Sequence, residues 1–306
     1  MIIDLHTQIW SHLDQLGPNV AALFRERDKQ QSGRSDGAPQ RHEREMQCVD
    51  ISVVLGYRSQ RTGALVPNEL VAEYVAAKPK ARLGIGAVDP LMDDPVGQIN
   101  QISDLGLVGV TMSPAGQGFH PTHSQAMRVY ERCCELGMPI FITLHAPMDT
   151  QAVLEFGRPM LWDEVARNYP DLSILIGHLG HPWIDETLLL LDKHSGIYAD
   201  VAGVASSPWQ LYQALLSAQS LGVMNKLLFG SGFPRETPAK AIEYMYSVNQ
   251  FSQGTGLPNV PRSLVRDIVE RNSLACLGID VELPTPQVEI DREIPVISEV
   301  GNQLTD

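Results

Sequence analysis

The sequence predicts an α/β fold, a (β/α)8 or TIM barrel, on three observations. Eight short runs of apolar and β-branched residues recur along the chain. Helix-length segments fall between them. The length of 306 residues suits a barrel of about 250 residues with insertions. Eight repeats fit a closed barrel better than a doubly wound open sheet. No G-x-G-x-x-G or phosphate-binding loop follows any strand, which argues against nucleotide binding.

The strands are expected at Ile2–His6, Ile51–Leu55, Leu83–Val88, Gly109–Met112, Ile140–Leu144, Ser173–Ile176, Gly196–Val201 and Lys226–Phe229. Their continuous apolar character belongs to parallel strands buried on both faces. Segment 11–47 breaks the rhythm after the first strand. It is polar and helix-interrupted, and reads equally as a solvated loop or as a lid over the barrel mouth. Beyond it, Pro67 precedes a helix at Asn68–Lys78, a favourable pre-helix residue. Helices Pro95–Leu105 and Ser124–Leu136 stop at Gly106 and Gly137, the usual C-terminal glycines. Met160–Tyr169 stops before Pro170; Trp183–His194, Trp209–Ser220, Ala239–Val248 and Ser263–Leu277 complete the alternation. Residues 1–280 thus read as one barrel, and 281–306 as a Pro-rich acidic tail.

Composition narrows the function. With 43% apolar and 19% charged residues the chain has ample material for a core. A formal net charge of −13 repels phosphate backbones, so no nucleic-acid partner is expected. The start MIIDLHTQIW has no basic or long apolar stretch, so no signal peptide and no membrane partner are expected. Cys48, Cys133, Cys134 and Cys276 show no C-x-x-C spacing and read as reduced packing cysteines of a cytoplasmic protein. A homodimer is the default assembly.

Catalytic groups of such barrels sit at the C-terminal ends of strands. Those ends carry His6 and Gln8, Tyr57 and Arg58, Asp89, Ser113, His145, His178 and His181, Asp200, and Ser231, Gly232 and Arg235. Asp4, His6 and Gln8 are spaced by two, so unbroken alternation sends all three to one face. A strand with a polar inward face is building a site, because barrel interiors otherwise fill with Val, Ile and Leu. Arg58 and Arg235 offer bidentate forks for a substrate carboxylate, or equally surface ion pairs. His181 lines the mouth or stands in a surface loop. Ser231 lacks a nucleophile elbow.

At this point IDLHTQ, FITLHA, ILIGHLGHPW, YADVAG and LLFGSGFP together resemble the amidohydrolase superfamily. The similar branch contains aminocarboxymuconate-semialdehyde decarboxylase, related aromatic-acid decarboxylases and pyrone-dicarboxylate lactonase. The resemblance spans roughly residues 1–280, ending with RNSLACLGI around Asn272. It implies metal ligands at His6 and His145 and a proton-transfer histidine at His178. Gln8 stands where the second first-strand histidine belongs, and Gly232 where G-S-D-x-P would place an aspartate. Catalytic zinc generally needs three His, Cys, Asp or Glu ligands plus water, so one divalent metal, Zn or Mn, is expected to be weakly held or absent. His6, His145 and His178 are an alternative ligand set, with Asp200 or Glu236 replacing the lost base.

The resemblance therefore implies an amidohydrolase-like hydrolase or decarboxylase acting on a small carboxylated ring or lactone. Its catalytic residues would be His178 and Asp200, its metal ligands His6 and His145, and its substrate-binding residues Arg58, Arg235, His181 and Gln8. The alternative, raised by Gln8 and Gly232, is an inactive binding or structural barrel that retains a small-molecule ligand.

Overall fold

A computed structural model of the chain describes residues 1–28, 35–144 and 149–281. His145 and the tail beyond residue 281 lie outside the described residues. Strands β1 (Ile3–Gln8), β2 (Ile51–Leu55), β3 (Tyr57–Ser59), β4 (Ala64–Val66), β5 (Arg82–Ala87), β6 (Val110–Met112), β7 (Ile140–Ile142), β8 (Ile174–Ile176), β9 (Ile197–Asp200) and β10 (Leu227–Leu228) alternate with helices. Eight of them form one parallel sheet in the order β1-β2-β5-β6-β7-β8-β9-β10. Backbone bonds from Leu5 N to Phe229 O and from Gln8 N to Phe233 O, each 3.1 Å, join its two edges. The molecule is a (β/α)8 barrel. The hairpin of β3 and β4 was not expected from the sequence.

Helices α1 (Pro18–Asp28) and α2 (Pro39–Glu45) fall between β1 and β2. After them come α3 (Asn68–Ala76), α4 (Pro95–Asp104), α5 (Pro114–Gln117), α6 (Ser124–Leu136), α7 (Trp162–Asn168), α8 (Ile184–Lys193), α9 (Pro208–Leu221), α10 (Pro238–Tyr246), α11 (Arg262–Glu270) and α12 (Ser273–Cys276). The single closing helix expected at Ser263–Leu277 is two, because Asn272 turns out of the helix and caps α12 through Ala275 N at 3.2 Å. Such an asparagine satisfies one of the donors that every helix start leaves open. No described helix is long and apolar enough to cross a membrane.

Two apolar clusters divide the core. One contains Ile3, Leu5, Val53, Leu55, Phe141 and Leu228 with Leu274 and Leu277 of the α12 region. Strand residues with only the closing segment as partner identify it as the barrel lumen. The other joins alternate strand residues such as Val54, Ile140 and Ile174 to the surrounding helices.

This division corrects the expectation of an unbroken inward face at Asp4, His6 and Gln8. Ile3 and Leu5 are the lumen residues, and Asp4 pairs with Ser52 on the opposite side. The β1–β2 register then slips: Asp4 faces Ser52 but Thr7 faces Val54. β1 therefore carries one extra residue between these pairs, a bulge of the kind that re-aims side chains. Beyond it Gln8 pairs with Leu55 of the lumen while Thr7 pairs with outward Val54.

Candidate active site

His6 and His178 meet at the C-terminal end of the barrel with ring centroids 4.3 Å apart. Beside them stands Asp200, the last residue of β9, fully buried. Its Oδ2 accepts from His6 Nδ1 at 2.8 Å. Its Oδ1 accepts from the backbone N–H groups of His178 and Ala202, both at 2.9 Å. Burial raises this carboxyl, but the charge and hydrogen bond of His6, with further pull from His178, hold it below its usual value.

The same bonds fix tautomers. A carboxylate only accepts, so His6 carries its hydrogen on Nδ1. His178 Nδ1 lies 3.0 Å from the Ala202 carbonyl and must donate likewise. In the neutral form of each ring Nε2 is then the lone-pair atom. Burial first, then the neighbouring His6, lowers the His178 pKa to about 3, so this imidazole is neutral at pH 7.

Close packing sets both rings. A Cβ on Gly177 would fall 3.0 Å from His6 Cε1, one on Gly230 2.8 Å from His6 Cβ, and one on Gly203 3.0 Å from His178 Nδ1. His178 and Leu179 are consecutive left-handed residues, with φ of 57° and 51°. Non-glycine residues pay for this conformation in strain and persist in it only where surroundings over-determine it; the two bonds to Asp200 and Ala202 do so here. Neither this turn nor the glycine clearances carried a clear sequence signal beyond the G-H and G-S-G pairs.

A pocket above these groups is lined by His6, Gln8, His178, Gly232 and Arg235 on the barrel side. Trp10 and the α1 region, through Leu16, Val20 and Phe24, roof it. Its volume is about 30 Å³, room for about one water molecule. Gly232 is left-handed at φ 78°, and among the described residues a Cβ there would meet Gly203 N at 3.4 Å and Ala202 Cβ at 3.6 Å.

Other expected site residues lie elsewhere. Arg58 on β3 donates from Nη1 to Gln98 Oε1 at 3.2 Å, and His181 lines a separate surface groove with Trp183, Asp185 and Gln210. Glu236 is buried outside the pocket lining, with Oε1 accepting from Thr237 N at 3.2 Å. Asp4 is fully buried and ties β1 to the chain after β10, accepting from His6 N at 3.1 Å and Ser231 N at 2.9 Å. Burial pushes its carboxyl up to about 6.

His6, His178 and Asp200 offer ligand atoms that all lie within 4.8 Å of one another. Two imidazoles with Nε2 lone pairs and one carboxylate are a donor set that suits a divalent transition metal. The amidohydrolase family model matches residues 3–279. The chain belongs to the amidohydrolase family.

Solved structures share its fold. An uncharacterized TIM-barrel protein from Bordetella bronchiseptica superposes with a TM-score of 0.68 at 20% identity, over 90% of this chain and 99% of that one. A probable 2-pyrone-4,6-dicarboxylic acid hydrolase from Acinetobacter baumannii, with citric acid bound, gives 0.61 at 15%, covering 90% and 99%. A dihydroxybenzoic acid decarboxylase from Polaromonas, with manganese and the inhibitor 2-nitroresorcinol, gives 0.64 at 16%, covering 91% and 97%. No curated protein matches the chain.

Proposed function

We propose that this amidohydrolase is a hydrolase or decarboxylase for a small carboxylated ring or lactone. The observation that carries the reading is the His6–Asp200–His178 cluster, with Arg235 in the same pocket lining. In this reading His6 and His145 would hold one divalent ion, Zn or Mn. The ion would supply Lewis-acid polarisation of a substrate oxygen. Gln8 contributes only a neutral amide and Gly232 nothing, so the ion is held weakly. His178 takes and returns a proton at Nε2, its Nδ1–H being committed to Ala202. Asp200 fixes both histidines, since its oxygens already accept N–H bonds. Arg235 binds the substrate carboxylate, and Trp10, Val20 and Phe24 exclude water. A ring enters only as the α1 roof moves aside, because the present volume of about 30 Å³ takes about one water.

That small volume is also the observation favouring the second reading, an inactive binding barrel. One experiment separates them: elemental analysis of the purified protein, then product formation from a dihydroxybenzoate and a pyrone dicarboxylate with added Mn or Zn. Turnover that is abolished in His178→Asn supports the enzyme. Metal content near zero, unchanged by added metal and accompanied by no turnover, overturns it. A cytoplasmic homodimer belongs to the same proposal; cysteines that form no disulfide support the compartment, and sedimentation tests the dimer.

A further inference from the structure

We infer that His42, from the segment between β1 and β2, is a positioning residue that locks the β1 bulge and so aims His6 into the site. His42 is completely buried, and burial lowers its pKa to about 3 with a further push from Arg82. It lies outside the pocket lining, yet both ring nitrogens are bonded.

The bonds form a directed chain. Thr7 Oγ1 donates to Val53 O at 2.7 Å, and a hydroxyl has one hydrogen to give. It must therefore accept from His42 Nε2, 2.9 Å away. With Nε2 protonated, the neutral ring accepts at Nδ1 from the Tyr74 hydroxyl at 2.8 Å, the nearer of the two acceptors open to that hydroxyl, Pro39 O lying at 3.3 Å. The chain runs from Tyr74 on α3, through His42 on α2 and Thr7 on β1, to Val53 on β2.

Its end point is the register slip. Thr7 is the first paired residue beyond the bulge, and stands between His6 and Gln8. Where the β1–β2 ladder loses backbone pairing, the Thr7 hydroxyl bonds the Val53 carbonyl instead. Without that clamp the strand relaxes toward plain alternation, in which the residue after lumen-facing Leu5 points outward. α2 grips the other edge as well. The His42 ring stands edge-on to Phe233 at 5.2 Å, and Arg41 lies 5.0 Å over the same ring. Gln8 and Gly232, the two altered positions, thus have the same helix behind them.

This deepens the site reading above but its test needs neither metal nor turnover. The probe is the His6 Nδ1–H proton bonded to Asp200, followed by NMR in histidine-¹⁵N-labelled full-length protein. Thr7→Val and Tyr74→Phe keep shape and remove one link each; His42→Phe removes two, and His42→Gln restores a donor and an acceptor. The expected result is that the His6 signal shifts or broadens in Thr7→Val and His42→Phe while the near-ultraviolet spectrum stays native. Its exchange with solvent should rise about tenfold, as for loss of one buried hydrogen bond, and His42→Gln should recover most of this. A His6 signal unchanged in Thr7→Val and Tyr74→Phe overturns the inference even if His42→Phe does not fold. If the signal responds but no metal binds and nothing is turned over, the positioning role stands and the enzyme reading falls.

Discussion

Asp200 ties two histidines to one carboxylate, taking His6 Nδ1–H on one oxygen and the His178 backbone N–H on the other. Asp200→Asn must present an amide NH2 to one of these donors. Leaving buried donors without their charged acceptor typically costs about 3 kcal/mol. Urea denaturation should show a loss of that order, and the His6 Nδ1–H signal should vanish. A variant as stable as the wild type would show that Asp200 is uncharged in the folded protein.

Adding metal-binding side chains at positions 8 and 232 should raise metal affinity. The double variant Gln8→His, Gly232→Asp places a second imidazole and a carboxylate beside the existing cluster. Contacts of 3.4 and 3.6 Å leave room for a Cβ at position 232, but its left-handed backbone costs an L residue about 1–2 kcal/mol. The expected outcome is near-stoichiometric zinc or manganese by elemental analysis, with a lower melting temperature for the metal-free form.

His42 predicts acid sensitivity. Its pKa is lowered from 6.5 to about 3, so between these values the unfolded chain binds a proton that the native state refuses. Stability is complete above pH 6.5 and is lost as pH falls toward 3, at up to about 1.4 kcal/mol per unit. Asp4, raised to about 6, acts oppositely, losing stability as pH rises from 3.8 through 6. Comparing melts of wild type and His42→Gln at pH 7, 5 and 4 isolates the histidine, because Asp4 is common to both. The variant should lose less stability on acidification; parallel curves would refute the lowered pKa.

Gly37 should control the roof. A Cβ there would lie 2.4 Å from Trp10 Cε2, while Trp10 N donates to Gly37 O at 3.0 Å and its indole to Ser35 O at 3.1 Å. Gly37→Ala must displace the indole toward Phe24 and the pocket. Overpacking of this kind costs about 1–3 kcal/mol. Tryptophan fluorescence should shift and any ligand affinity should fall, whereas a silent substitution would show that Trp10 does not wall the pocket.

Much of the barrel was legible because its signals are local. Apolar runs mark strands, and Gly106 and Gly137 mark helix ends through backbone requirements any single sequence displays. His6, His178 and Asp200 were readable as strand-end residues. Their partnership was not, since Asp200 bonds His6 across 194 positions of sequence. The bulge was invisible for another reason. IDLHTQ alternates in either register, and only the pairing with β2 reveals the extra residue. His42 was missed because a histidine in RHERE looks like part of a solvated charged face, while its burial depends on Thr7 and Tyr74 meeting it from two other elements.

The extra residue in β1 bears on grafting this site into another scaffold. Copying the side chains of IDLHTQ onto a regular strand would transplant the letters and invert their facing, leaving the imidazole among the outer helices. A faithful graft must carry the irregular strand together with the helix that braces it. Deleting Leu5 would be the complementary edit, drawing His6 down from the barrel mouth into the lumen position opposite Val53.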